Sequence, residues 1–340
     1  MKIDFTETEE DEEDFFKAAL AGHDLRFFTG TEQVEADTEI LCIYLGSRID
    51  REFLDKHAVL KLIATRSAGY DHIDVSECAR RGVTVCEVPG SNASTVAEHT
   101  FALMLALSRR LFACSEERKA PFSYEQWRGF ELEHKTLGVI GAGRIGQRVI
   151  HLALAFGMKV LAYDPYEQIH LGENVRYVPL PELLGESQII SLHTPLTHET
   201  FHLLDRQAFA HCRQQPIIIN TARGAVINTD ALIEALDARI IDGAGLDVLE
   251  EEVVLREDAD QIVTDQIITR LHNAASQEEA GKRPPEGIRQ IERLFRNQRL
   301  LSHPNIIFTP HVAFNSVEAG WSPACPPCKA SEAGLEASWA

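Results

Sequence analysis

Between an apolar run and a helical one, the chain carries Gly141-Ala142-Gly143-Arg144-Ile145-Gly146, in the context LGVIGAGRIGQRVI. Three glycines at that spacing leave few folds open. Gly141 permits a tight turn out of a strand, Gly143 lets a pyrophosphate approach the backbone, and Gly146 lets helix and strand pack closely. The N-terminus of the following helix offers N–H groups and partial positive charge to phosphate. The next strand, in LAYDPY, ends at Asp164. A carboxylate there accepts hydrogen bonds from an adenosine ribose and repels a further phosphate, which favours NAD over NADP. The stretch predicts a dinucleotide-binding βαβ unit.

The same alternation runs through the chain. TEILCIYLG, KLIATRSAG and VTVCEV read as strands, and DREFLDKHAV and DVSECARRG as short helices opened by Asp. STVAEHTFALMLALSRRLF reads as a long linking helix that Ser94 can cap. Then LGVIG, KVLAYD, VRYVP, QIISLHTP, PIIINTA, DGAGLDV and IIFTPH follow, with NTDALIEALDAR as an intervening helix. Short apolar runs of this kind suit strands buried on both faces of a parallel sheet. The expected class is α/β, with two doubly wound parallel-sheet domains, and 340 residues suit about two cores. Two stretches break the rhythm: one from about Glu250 to Gln290, read as helical segments and a polar loop, and WSPACPPCKASEAGLEASWA at the end.

A net charge of −19 disfavours a nucleic-acid partner. The acidity peaks in ETEEDEEDFF, which reads as a solvated helix face. Seven scattered cysteines form no disulfide framework and fit reduced thiols in a cytoplasm. Cys325-Pro-Pro-Cys328 has no second pair or His after it, so no metal site is expected. The polar, acidic opening does not read as a signal peptide, and no apolar run is long enough to span a bilayer.

A dinucleotide site implies redox chemistry, and ligands of such folds gather at the carboxyl ends of strands. Arg223 follows IIINTA, Asp247 and Glu252 follow GAGL, and His311 follows IIFTP. A guanidinium grips a carboxylate through two parallel hydrogen bonds and polarises a neighbouring carbonyl. Hydride transfer to a ketone also needs a proton for the oxygen, and imidazole suits that task near neutrality. A carboxylate beside the imidazole would orient the ring. Arg223, Glu252 and His311 are the expected catalytic set.

TRSAGYDHID, VAEHTFALMLALSR, KTLGVIGAGRIGQ, SLHTPLTHET, NTARGAVIN, GAGLDVLEEE and TPHVAFNS, in this order, resemble the D-2-hydroxyacid dehydrogenases over about residues 1–318. The resemblance implies a flavodoxin-like substrate domain, built from residues 1–102 plus 305–340, around a Rossmann NAD-binding domain at 103–304. It also implies a homodimer joined through the NAD domains. The family's Arg, Glu and His fall on Arg223, Glu252 and His311. Backbone N–H groups of Ser67, Ala68 and Gly69 would meet the substrate carboxylate. Arg144 and Ile145 match the pyrophosphate contacts. Thr194, Pro195, Thr200, Thr221, Ala222 and Asp247 match further cofactor-contacting positions. PHVAF is most similar to D-lactate dehydrogenases, so pyruvate is the expected keto acid. Phosphoglycerate and glyoxylate or hydroxypyruvate reductases are the alternatives within the family, and an NAD-sensing, corepressor-like binding protein is the alternative outside enzymes. The chain departs from the family where a long closing helix usually follows AFNS, and where His134 replaces a frequent Gly before KTLG.

Overall fold

Among the described residues every strand pair of the two sheets is parallel, so each sheet gathers its carboxyl ends on one side. The computed structural model describes residues 1–44, 46–67, 69–87, 92–116, 125, 127–166, 172, 174–250 and 295–316. The chain divides into two compact units, one holding Met1–Asn92, with which Asn315 and Ser316 are counted, and one holding Ala93–Phe314.

In the first unit, β1 (Lys2–Thr6), β2 (Asp24–Phe28), β3 (Ile40–Ile43), β4 (Leu62–Thr65) and β5 (Thr84–Cys86) form a sheet in the order β2-β1-β3-β4-β5. This is the flavodoxin-like doubly wound order. Among the described residues three α-helices accompany it: α1 (Glu10–Ala19), α2 (Arg51–Lys56) and α3 (Val75–Arg81). The Asp50 side chain caps α2 by accepting from Phe53 N, and Asp74 caps α3 by accepting from Glu77 N. Both caps are the aspartates expected from the sequence. α1 is the acidic stretch, with no fully buried residue.

β1 and β2 were not expected. Asp4 interrupts the apolar pattern of KIDFT, yet it is fully buried. Arg26 on β2 forks it, Nε to Oδ1 at 2.6 Å and Nη2 to Oδ2 at 3.2 Å, and Thr38 donates to the same carboxylate. A buried carboxylate persists when such partners replace its water. Beside it, the fully buried Phe5 ring lies 4.5 Å from Phe16 and 5.0 Å from Phe27.

The second unit is a seven-stranded sheet in the order β12-β11-β10-β9-β6-β7-β8. Its strands are β6 (Thr136–Ile140), β7 (Lys159–Tyr163), β8 (Val175–Tyr177), β9 (Ile189–Leu192), β10 (Ile217–Asn220), β11 (Gly243–Leu246) and β12 (Ile306–Phe308). All residues of β9, β10 and β11 are buried, as runs such as IIIN require in a sheet covered on both faces. Helices of this unit among the described residues include α4 (Ala93–Ser108), α5 (Leu111–Glu116), α6 (Arg144–Ala155), α7 (Leu180–Glu186), α8 (Arg206–Phe209) and α9 (Thr229–Asp237). The strand order reverses between β6 and β9, which makes a topological switch point at their carboxyl ends. This is a Rossmann sheet.

Three details differ from expectation. The chain passes between units at Asn92–Ala93 and Phe314–Asn315, not at 102/103 and 304/305. Two elements account for the shift: α4 packs on α6, β10 and β11, and β12 hydrogen-bonds to β11. Ser94 lies inside α4, which starts at Ala93, so it is not the cap. The long helix also stops at Ser108, because Arg110 takes φ +53 before α5 begins. His134 has φ +64, which explains why glycine suits that turn. Among the described residues no helix is long and apolar enough to cross a membrane. Residues 251–294 and 317–340 lie outside the described residues.

Replacing Phe5 by Ala should cost about 3–5 kcal/mol of stability, because the ring sits fully buried between two others. Urea unfolding followed by circular dichroism measures this, and a loss below about 1 kcal/mol would contradict the packing described.

Candidate active site

The glycine loop leaves β6 with Gly141 at φ +93, and a Cβ there would fall 2.7 Å from His193 O. Gly146 faces Gly141, and a Cβ on it would fall 2.0 Å from Gly141 O. At Gly143 a Cβ would meet nothing within 4 Å. So Gly141 and Gly146 are fixed by protein packing, while Gly143 borders open space. Gly143 is the N-cap of α6 and brings no side-chain cap, which leaves first-turn N–H groups for an anion. Asp164, just past β7, accepts from Ala142 N at 2.8 Å and from Tyr166 N at 3.0 Å. Its carboxylate is thereby held against the glycine loop. These features fit a dinucleotide: an open backbone approach, a helix N-terminus and an acid beside them.

Past β9, the Thr194 hydroxyl is buried with no hydrogen-bond partner, an orphan that a bound cofactor would satisfy. Thr200 is differently placed. Its hydroxyl donates to Pro195 O at 2.6 Å and accepts from Thr197 N at 2.7 Å, so it clips the loop together. His193 bonds Ser191 through Nε2 at 2.8 Å, while its Nδ1 is buried and unpartnered. Burial pushes this imidazole down to about 3 from an ordinary 6.5.

At the end of β10, Asn220 closes a small ring. Its Oδ1 accepts from Ala222 N and its Nδ2 donates to Arg223 O, each at 3.0 Å. Thr221 bonds Thr100 of α4, hydroxyl to hydroxyl, at 2.9 Å. Asn220 O in turn accepts Asp247 N at 2.9 Å, and Asp247 O accepts His311 N at 2.8 Å. Backbone hydrogen bonds therefore run from the end of β10, across β11, to the histidine after β12.

Asp247 does more. Its fully buried carboxylate accepts Thr309 Oγ1 at 2.5 Å and Val312 N at 2.9 Å on Oδ1, and Ala313 N at 2.9 Å on Oδ2. His311 between these residues has φ +54, a conformation that L-residues keep only where their surroundings over-determine it. The Asp247 carboxylate supplies that constraint. Its role was expected near a nicotinamide; the geometry shows it gripping the His311 loop. The His311 ring stands edge-on to Phe314, centroids 6.0 Å apart.

Glu252 and Ala68 lie outside the described residues. Glu250, the first acid of the same run, is buried and accepts from His202 Nε2 at 2.7 Å and Thr229 Oγ1 at 2.9 Å. Burial pushes its carboxyl up, but the His202 and Thr229 hydrogen bonds and the Arg296 charge outweigh it and hold it below the usual range. In the first unit, Ser67 Oγ donates to Gly69 O at 2.6 Å and pairs with Thr65 Oγ1 at 2.7 Å. Arg66 turns away from that loop to bond Thr6 O, Glu7 O and the Glu12 carboxylate.

Sequence reasoning missed Asn220, Thr309 and His99 as parts of the site. Asn220 and Thr309 sit inside motifs already singled out, NTARG and TPH. No sequence signal joins His99 to Thr309.

Residues 101–313 match the family model described as the D-isomer specific 2-hydroxyacid dehydrogenase, NAD binding domain. The chain is 39% identical over 264 residues to the D-lactate dehydrogenase of Escherichia coli strain K12, covering 74% of this chain and 79% of that one. It is 37% identical over 262 residues to the hydroxypyruvate reductase of Thermotoga maritima, covering 76% and 85%. Among solved structures, the D-lactate dehydrogenase from Aquifex aeolicus complexed with NAD and lactic acid matches with a TM-score of 0.77 and 32% identity, over 99% of this chain and 95% of that one.

Asp247→Ala should cost about 3 kcal/mol, since one hydroxyl and two N–H groups lose their buried acceptor. Urea melting checks it, and a loss under about 1 kcal/mol would show that the loop is held otherwise. His193 makes a pH prediction. Its folded-state pKa lies below the unfolded one, so the unfolded chain binds the extra proton, and stability falls as pH drops below 6.5 toward about 3. The slope from this residue is about 1.4 kcal/mol per pH unit. His193→Asn should flatten the stability profile between about pH 6 and pH 4 by roughly that amount. Identical profiles for variant and parent would refute it.

Proposed function

Since the chain belongs to the D-isomer specific 2-hydroxyacid dehydrogenases, we propose that it interconverts pyruvate and D-lactate, with His311 giving the proton to the keto oxygen in reduction. Its cofactor is NAD, which when bound supplies or accepts the hydride at C2. The observation that carries this reading is His311 itself, held in a left-handed backbone conformation by buried Asp247 on the carboxyl side of the sheet that bears the glycine loop.

Arg223 grips the substrate carboxylate and polarises its carbonyl; the Asn220 ring fixes the backbone from which it reaches. Glu252 orients the His311 imidazole and steadies its proton. Arg144 and Ile145, at the start of α6, meet the pyrophosphate, and Asp164 the ribose. The edge-on Phe314 ring beside His311 favours a methyl tail over a hydroxymethyl or phosphate-bearing one, which supports pyruvate. The five described cysteines are free thiols, as a reducing cytoplasm keeps them. The same reading takes the enzyme as a homodimer joined through its NAD-binding units.

The test is NADH oxidation with pyruvate, hydroxypyruvate, glyoxylate and longer 2-keto acids. The highest kcat/KM is expected for pyruvate. His311→Gln should lower kcat by about 10²–10⁴-fold with NADH binding kept. Another keto acid in first place would overturn the substrate. NADH binding without turnover of any keto acid would overturn the enzyme and favour a nucleotide-sensing role.

A further inference from the structure

We propose that His99, on α4, is a positioning residue for His311 and acts through Thr309 and Asp247. The inference rests on His311 being the proton donor of the reading above. It follows from counting protons. A threonine hydroxyl has one hydrogen to donate, and a carboxylate only accepts. Thr309 Oγ1 lies 2.5 Å from Asp247 Oδ1, so its hydrogen goes there. The other contact of that oxygen, His99 Nε2 at 2.9 Å, must then be the donor. His99 therefore carries a hydrogen on Nε2, and the same nitrogen lies 3.5 Å from Asp247 Oδ1.

The bonds form a directed relay: imidazole N–H to hydroxyl, hydroxyl to buried carboxylate. That carboxylate takes Val312 N and Ala313 N, and Asp247 O takes His311 N. Thr309 and Val312 flank Pro310-His311, so the relay holds the catalytic histidine from both sides. His99 lies on a helix that begins the unit, 210 residues from the threonine of the loop it steadies. Without its N–H, the Thr309 hydroxyl is free to turn from Asp247, and the buried carboxylate loses its imidazole neighbour. His311 then leaves its productive orientation more often. NADH binding should change little, because the variant leaves Asp247 and the glycine loop on β6 in place and His99 is not among the groups expected to meet the cofactor.

His99→Leu and His99→Gln of the full chain test this, since the amide nitrogen of Gln reaches the place of Nε2. In the Leu variant, kcat should fall about tenfold, the size of one hydrogen bond. KM for the keto acid and Kd for NADH should stay within about threefold. Amide exchange at Val312 and Ala313 should quicken about tenfold as well. Gln should restore both kcat and protection. A Leu variant with full kcat, or a Gln variant as damaged as Leu, would overturn the proposal. If His99→Leu does not fold, Thr309→Val breaks the relay at its middle and gives the same readouts. Should the parent turn over no keto acid, the functional reading falls, and the exchange rates still decide whether His99 fastens the loop.

Discussion

Parallel strands cannot be joined by tight turns, so each returns through a crossover and each carboxyl end meets its neighbours on one side of the sheet. In the second unit that rule brings together the ends of β6, β7, β9, β10, β11 and β12 from residues 140 to 308. The register makes it concrete. Asn220 pairs with Leu246, and Leu246 with Phe308, so Arg223, Asp247 and His311 leave adjacent strands one after another. The remaining task is to fix side chains on loops, which Asn220 performs for Arg223 and Asp247 for His311.

The architecture of the second unit was largely legible, because its strands are apolar runs and its glycine loop has a recognisable context. In the first unit the reading failed at β1, where a charged residue sits at a central position. Asp4 breaks the apolar pattern, yet Arg26 comes from 22 residues away to neutralise it. Periodicity registers hydrophobicity and not the pairing that makes a charge tolerable inside. The same holds at the site. Arg223 and His311 were legible as residues that follow strands, β10 and β12. His99 was not, since a histidine on a helix face gives no sign of which loop it will meet. Asp247 was expected beside the nicotinamide, and the geometry adds its hold on the His311 loop.

The first acid of the run LEEE has partners of its own. Glu250 is committed to His202, Thr229 and Asn297, whose Nδ2 donates to its backbone carbonyl at 3.2 Å. It anchors the exit from β11 and is not available to steady His311. The family resemblance gives that task to Glu252, two residues on.

The order in which strands appear along the chain has a consequence for biosynthesis. The described strands of the first sheet lie between Lys2 and Cys86, so they can pair while most of the polypeptide is still to be made. The second cannot, because its edge strand β12 emerges only at Ile306. Until then β11 has an open flank and Asp247 lacks the amides that later receive its carboxylate. A nascent chain halted before that point would lack the edge of its second sheet, with a polar group there looking for partners that have not yet been made.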